Sequence, residues 1–211
     1  MVSARTQSAL FGDGAAPVVL SWKVVVDTRE QAPFGFLGMQ DEKTQRPLIV
    51  NLITDRALKS GDYSIDGMES RVAVERKSVP DFFSSISAGR DRFEAEMQRL
   101  AEMEFAAVVI EGDWRELLID RPSRTQVSGK VASRTIASWS MRYGVHFFPC
   151  MNRRHAELFT FQLLSMFRRN DEREKEQEEL ASRAGILDLS GIEIPSLPES
   201  TEENTGSHTG S

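Results

Sequence analysis

Two short segments, Asp62–Ile65 and Val72–Lys77, stand either side of the polar connection Asp66-Gly67-Met68-Glu69-Ser70-Arg71 and read as a β-hairpin. That hairpin lies among units of another kind. Runs rich in β-branched and apolar residues (Trp22–Thr28, Leu48–Thr54, Phe105–Glu111 and Val145–Cys150) alternate with segments whose apolar residues recur at helical spacing. The helical segments are Val79–Ser87, Arg90–Met103 with Phe93, Met97 and Leu100 on one face, Trp114–Ile119, Ser128–Tyr143, and Arg153–Arg169 with Leu158, Phe161, Leu164 and Phe167. Strand–helix alternation builds parallel pairing, whereas a hairpin is antiparallel by construction. A chain with both satisfies them in a mixed sheet covered by helices. The expected fold is therefore α/β, a three-layer α/β/α core with a mixed central sheet.

Composition sets the boundaries. Residues 1–21 mix Gly, Ala, Ser and Pro without periodicity and are expected to form a flexible arm. Residues 22–170 carry the periodic pattern and form the expected domain, with Gln31–Pro47 a loop broken by Pro33, Gly35, Gly38 and Pro47. Residues 171–211 form an acidic tail, charged and helical over Asp171–Arg183 and disordered from Pro195 on, with a short apolar patch at Ala184–Ile194. No run approaches the ~20 apolar residues that cross a bilayer, and Met1–Ser21 lacks the pattern of a secretory signal. The single cysteine, Cys150, excludes an internal disulfide and a Cys-rich zinc site, and His146, His155 and His208 have no metal-ligand spacing. The expectation is an intracellular protein, cytoplasmic if prokaryotic or viral and nuclear if eukaryotic, with no membrane partner.

A net charge of −6 argues at first sight against a polyanionic ligand. Its distribution reverses the argument. Residues 171–211 hold 11 acids and 3 bases, which leaves 23 bases against 21 acids in residues 1–170. Arg121–Ala156 includes Arg121, Arg124, Lys130, Arg134 and Arg142 and no acid at all, so it is the candidate surface for phosphates. Trp139, Tyr143 and Phe147 lie among these bases, where they either stack on unpaired bases or pack in the core.

The hairpin carries the chemistry. Side chains alternate along a strand, so Glu75 and Lys77 share one face while Val74 and Arg76 take the other. If Ile65 pairs with Val72, Asp62 falls opposite Glu75, with Cβ atoms about 4.5–5.5 Å apart. Two carboxylates so placed can reach one ion, and a lysine beside them can orient water or offset charge at a phosphate. Asp27 and Glu30 follow the end of the first strand and extend an oxygen-rich cluster, which favours Mg²⁺ or Mn²⁺ over zinc. Asp81 has a structural alternative, because Ser78-Val79-Pro80-Asp81 fits an N-terminal capping box.

The strings Val26-Asp27-Thr28-Arg29-Glu30, Gly61-Asp62-Tyr63 and Glu75-Arg76-Lys77-Ser78-Val79-Pro80-Asp81 resemble the nuclease domain of the XPF-type structure-selective endonucleases. The signature of that family is Gly-Asp, a variable gap, then Glu-Arg-Lys-x-x-x-Asp. The resemblance extends over Trp22 to Arg169 and weakens after Gly112. It implies a restriction-endonuclease-like core that cuts DNA near branches or flaps with Mg²⁺ or Mn²⁺, in repair, recombination or replication. It further implies Asp62 and Glu75 as metal ligands, with Asp27 a third candidate, and Lys77 as the water-orienting or charge-stabilising group. Asp27, Glu30 and Asp81 would complete the acidic cluster, Arg76 would support the site or the scissile phosphate, and Arg90, at the family's Gly-Arg, would be a further DNA contact. The tandem helix-hairpin-helix module usual in the family is not among the residues after Asn170, nor does a Gly-x-x-x-x-Gly-Lys-Ser/Thr motif occur. A stand-alone nuclease domain is expected, working as a homodimer or with a partner protein that supplies a DNA-binding module. The apolar surface of Arg153–Arg169 is the candidate contact. Two other readings stay open: a nuclease of the same core acting on duplex ends or single strands, and a non-catalytic DNA-binding or scaffold subunit.

Overall fold

Apolar side chains on both faces of its central strands oblige the sheet to be covered on both sides. The computed structural model describes residues 16–119, 122 and 126–183. The strands are β1 (Val18–Asp27), β2 (Met39–Gln40), β3 (Pro47–Arg56), β4 (Tyr63–Ile65), β5 (Val72–Lys77), β6 (Phe105–Ile110) and β7 (His146–Pro149). The helices are α1 (Val79–Ser85), α2 (Arg90–Leu100), α3 (Trp114–Leu118), α4 (Gly129–Tyr143) and α5 (Arg153–Arg183). The chain divides into two units, Met1–Asp171 and Glu172–Ser211. In the second unit the described residues, 172–183, are helical.

The strands form one sheet in the order β2-β3-β1-β4-β5-β6-β7. Strand β1 is parallel to β3, and β5, β6 and β7 run parallel to one another. Strand β4 is antiparallel to both β1 and β5, which makes the sheet mixed. Period-two alternation separates two cores. On one face Val24, Val26, Ile65, Val72, Val74 and Val109 pack with Phe34, Phe36 and, from α5, Ala156 and Leu164. On the other, Ala73, Ala106, Val108 and Ile110 pack with Phe82 and Phe83 of α1, Phe93, Met97 and Leu100 of α2, and Ile136 and Trp139 of α4. Each buried Val, Leu, Ile or Phe contributes roughly 1.5–3 kcal/mol, so both layers of helices are held by the sheet between them. Ser78, Asp113 and Ser128 cap α1, α3 and α4, and Gly144 closes α4 in the left-handed region (φ 66°).

Four local expectations are revised. Strand β1 begins at Val18 rather than Trp22, because Val18 and Val19 pair with Leu48 and Ile49 and the alternating Val18, Leu20 and Trp22 lean on the core. The expected loop Gln31–Pro47 contains β2, drawn onto the edge of β3 by Met39, which is buried. Helix α5 does not stop near Asn170 but continues to Arg183. Its apolar face, expected as a contact between subunits, is used by the sheet instead: Phe159, Phe161, Leu163 and Phe167 pack on the core, and only Leu158 and Met166 among its large apolar residues are exposed up to Asp171. Residues 1–15 of the expected arm and 184–211 of the expected tail lie outside the described residues. No described helix is long and apolar enough to cross a membrane.

Candidate active site

Because β4 runs against its neighbours, its first residues lie beside the last residues of β1 and β5, and this is where the acids gather. Tyr63 pairs with Val74, the register in which Ile65 falls opposite Val72 and Asp62 opposite Glu75. The Asp62 N–H donates to Val74 O (2.9 Å), the Arg76 N–H donates to Asp62 Oδ2 (2.7 Å), and the Asp27 N–H donates to Asp62 O (2.8 Å). Gly61 makes this approach feasible. Its φ is +77°, and a Cβ there would stand 2.9 Å from the Cβ of Ala73.

Glu75 is 4 % exposed and accepts a hydrogen bond from the Lys77 ammonium. That ammonium also lies 5.0 Å from the centre of the Phe93 ring, which fixes it between a carboxylate and an aromatic face. Burial pushes the Asp62 carboxyl up to about 6, helped by the charges of Glu30 and Glu96 and opposed by the Arg76 N–H and Lys77. Burial also pushes Glu75 well above the usual carboxylate range, and the Asp62 charge adds to it. Burial works against the Lys77 ammonium, yet Glu75 beside it outweighs that, so Lys77 is raised and cationic.

Two like charges sharing one buried position, with one lysine to offset them, suit a divalent cation. The donors are all oxygen, which fits Mg²⁺ or Mn²⁺. Among the described residues no three His, Cys, Asp or Glu side chains are grouped to hold a metal. Asp62 and Glu75 are the pair that would hold such an ion.

The other expected members of the cluster are committed elsewhere. Asp27 accepts from the Arg29 N–H (2.7 Å), Arg29 Nε (2.8 Å), Arg29 Nη2 (2.8 Å) and the Leu58 N–H (2.6 Å). These bonds outweigh burial and lower its pKa. Both its oxygens lock the turn after β1 to the loop before β4, so Asp27 is not placed as the expected third ligand. Glu30 grips Arg76 through Nε (3.0 Å) and Nη2 (3.1 Å), and Arg76 Nη1 lies 3.0 Å from Glu111. The Arg76 side chain is 11 % exposed, so it braces the site from within and is not presented to a scissile phosphate. Asp81 is exposed on the first turn of α1 and bonds to Ser78, as the capping alternative requires.

Of the expected DNA contacts, Lys130 and Arg134 are exposed on α4. The Arg90 guanidinium lies over the Trp139 ring at 5.1 Å, and Arg142 is paired with Glu94 (2.9 Å). Arg121 and Arg124 lie outside the described residues. Trp139 is buried, and Tyr143 and Phe147 pack against the same core. Pattern reasoning missed three residues. Glu111, at the end of β6, bridges Arg76 to Arg153 (2.5 Å), and Arg153 donates on to Ala32 O (2.7 Å) and Pro33 O (3.1 Å). Glu96 of α2 adds negative charge at Asp62, Glu75 and Lys77. The signal for Glu111 was its position at the end of a strand adjoining β5. Glu96 carried one only in following Phe93 by one helical turn.

A family model described as the ERCC4 domain matches residues 26–163. Among solved structures the chain is similar to XPF from Aeropyrum pernix, with a TM-score of 0.52 and 25% identity, covering 68% of this chain and 60% of that one. It is also similar to XPF from Aeropyrum pernix in complex with DNA, with a TM-score of 0.52 and 24% identity, covering 71% of this chain and 66% of that one. The chain thus spans under two thirds of the length of either. No curated protein matches it significantly by sequence. With the family model spanning well over half of its length and the Gly-Asp and Glu-Arg-Lys elements meeting at one end of the sheet, this chain belongs to the ERCC4 domain family of XPF-type nucleases.

Proposed function

We propose that this chain is a Mg²⁺- or Mn²⁺-dependent DNA endonuclease that hydrolyses phosphodiester bonds near branches or flaps, in repair, recombination or replication. The observation that carries the reading is the pair of facing residues Asp62 and Glu75, both pushed toward protonation by burial, with Lys77 cationic beside them. A divalent cation held by this pair supplies a Lewis acid for the phosphate and eases deprotonation of the attacking water. Asp62 and Glu75 bind and orient it. Glu75 and Phe93 hold the Lys77 ammonium rigidly, where it offsets charge on the phosphate oxygens during in-line attack. Arg76, fastened by Glu30 and Glu111, keeps the end of β5 in register. Lys130 and Arg134 add sequence-independent phosphate contacts. The intact Asp62, Glu75 and Lys77 set favours an enzyme over a non-catalytic subunit. A homodimer, or a partner protein supplying a DNA-binding module, belongs to the same proposal and is tested by light scattering.

The deciding experiment is cleavage of labelled 3′-flap, splayed-arm, duplex and single-stranded DNA with Mg²⁺, Mn²⁺ or EDTA, alongside Asp62→Ala and Lys77→Ala. Metal-dependent cutting near the branch, lost in both variants, is the expected result. Equal cutting of all substrates would discard the branch preference. Salt-sensitive binding without cutting would discard the enzyme.

A further inference from the structure

Helix α2 reaches the site at two places. Phe93 places its ring 5.0 Å from the Lys77 ammonium, and two turns later Arg99 Nε donates to Ser60 Oγ (3.1 Å), next to Gly61-Asp62. Glu96 lies midway, three residues from each, on the side of the helix these contacts define. On that side of the helix its charge repels Asp62 and Glu75 and attracts Lys77 and Arg29. Yet Glu96 is only part-exposed and, among the described residues, forms no hydrogen bond or ion pair of its own. A part-buried carboxylate beside two others repels them, and the Lys77 and Arg29 cations that it attracts are each already bonded to another carboxylate, Glu75 and Asp27. Its position calls for a positive or hydrogen-bond-donating occupant. It does not join Asp62 and Glu75 in a three-acid group that could hold a bare metal ion, so the occupant it can serve is a hydrated one.

We infer that Glu96 is a positioning residue for the divalent cation of this site, accepting hydrogen bonds from water in the cation's hydration shell while Asp62 and Glu75 ligate the ion directly. The inference rests on the metal-dependent reading above. Partners of this outer kind typically change metal affinity by about 10–100-fold when removed. Glu96 also gives the site a charge that a neutral hydrogen-bond acceptor would not replace.

The test is Mn²⁺ binding to the full chain, measured by isothermal titration without DNA, for wild type, Asp62→Asn, Glu96→Gln and Glu96→Ala. Thermal unfolding of each in EDTA runs beside it. Wild type is expected to bind and Asp62→Asn to lose binding. Glu96→Ala is expected to weaken binding about 10-fold or more, and Glu96→Gln to fall between, while neither lowers the unfolding midpoint in EDTA. Glu96 variants that bind Mn²⁺ like wild type, while Asp62→Asn does not, would overturn the role of Glu96 and leave the metal reading standing. No binding by wild type would overturn both. Weaker binding accompanied by an equal loss of stability in EDTA in both Glu96 variants would reduce Glu96 to a structural residue.

Discussion

Neutralising Asp62 should stabilise the metal-free protein while abolishing its chemistry. The carboxyl is pushed up to about 6 from an ordinary 3.8, first by burial and then by the charges of Glu30 and Glu96. At about 1.36 kcal/mol per pH unit, holding Asp62 ionised in the fold above pH 7 costs on the order of 3 kcal/mol. Asp62→Asn removes that cost and the like charge that pushes up Glu75. It keeps an oxygen to accept the Arg76 N–H, bonded at 2.7 Å to Asp62 Oδ2, and the preference of that N–H for the ionised form is already contained in the position of the pKa. The gain is thus up to about 3 kcal/mol, or roughly 6–12 °C in Tm for a chain of this size.

The sign with pH is equally definite. A carboxyl whose folded pKa is raised binds more protons folded than unfolded between about pH 4 and about pH 6, so this contribution makes wild-type stability fall as pH rises through that window. The advantage of Asp62→Asn should open over the same window and level off above it. The assay is thermal unfolding in EDTA from pH 4 to 8.5. Adding Mn²⁺ should reverse the order, because a ligand at about 1,000 times its Kd stabilises by about 4.1 kcal/mol and the variant lacks the ligand set. A variant less stable than wild type in EDTA at pH 8, or an advantage that does not vary with pH, would refute the electrostatic account of the pair.

Arg76→Ala should cost about 3–5 kcal/mol in urea unfolding, because it strands the buried Glu30 and leaves Glu111 with Arg153 alone; unchanged stability would return Arg76 to the phosphate. Gly61→Ala combines a φ of +77° with a 2.9 Å approach to Ala73, and roughly 1–3 kcal/mol of destabilisation is expected from chemical denaturation. Lys77→Met should leave Mn²⁺ binding within a few-fold while single-turnover cleavage drops by about 100-fold or more, a split that loss of fold could not produce. Lys130→Ala and Arg134→Ala should each reduce the slope of log K against log salt for DNA binding by about 0.9, as read by fluorescence anisotropy.

Much of this molecule is carried by local chemistry. A β-branched run and a helix-spaced run announce themselves within a dozen residues, so the mixed sheet and its helices, and even the hairpin register that sets Asp62 against Glu75, were legible. The Glu-x-Lys spacing was legible for the same reason, since alternation along one strand is a property of that strand alone. What could not be read locally was the allocation of partners. Asp27 and Glu30 stand near the same strand ends as Asp62 and look equivalent in the sequence. Which acid keeps a free face depends on Leu58, which joins the nearby Arg29 on Asp27, and on Arg76, which takes Glu30, 31 and 46 residues away along the chain. The edge strand Met39–Gln40 was invisible because two residues have no period, and they become a strand only when β3 supplies its edge. Glu96 was invisible because a single acid on an otherwise ordinary helix acquires meaning only when Phe93 and Arg99 fix the direction in which that helix faces. The sequence by itself determined the fold class and the acids and lysine of the hairpin, because periodicity and alternation are written in near neighbours. Only the tertiary structure decided which carboxylates are spent on arginines and which remain for chemistry, because hydrogen bonds and charge in a buried site are shared among residues that the chain brings together from far apart.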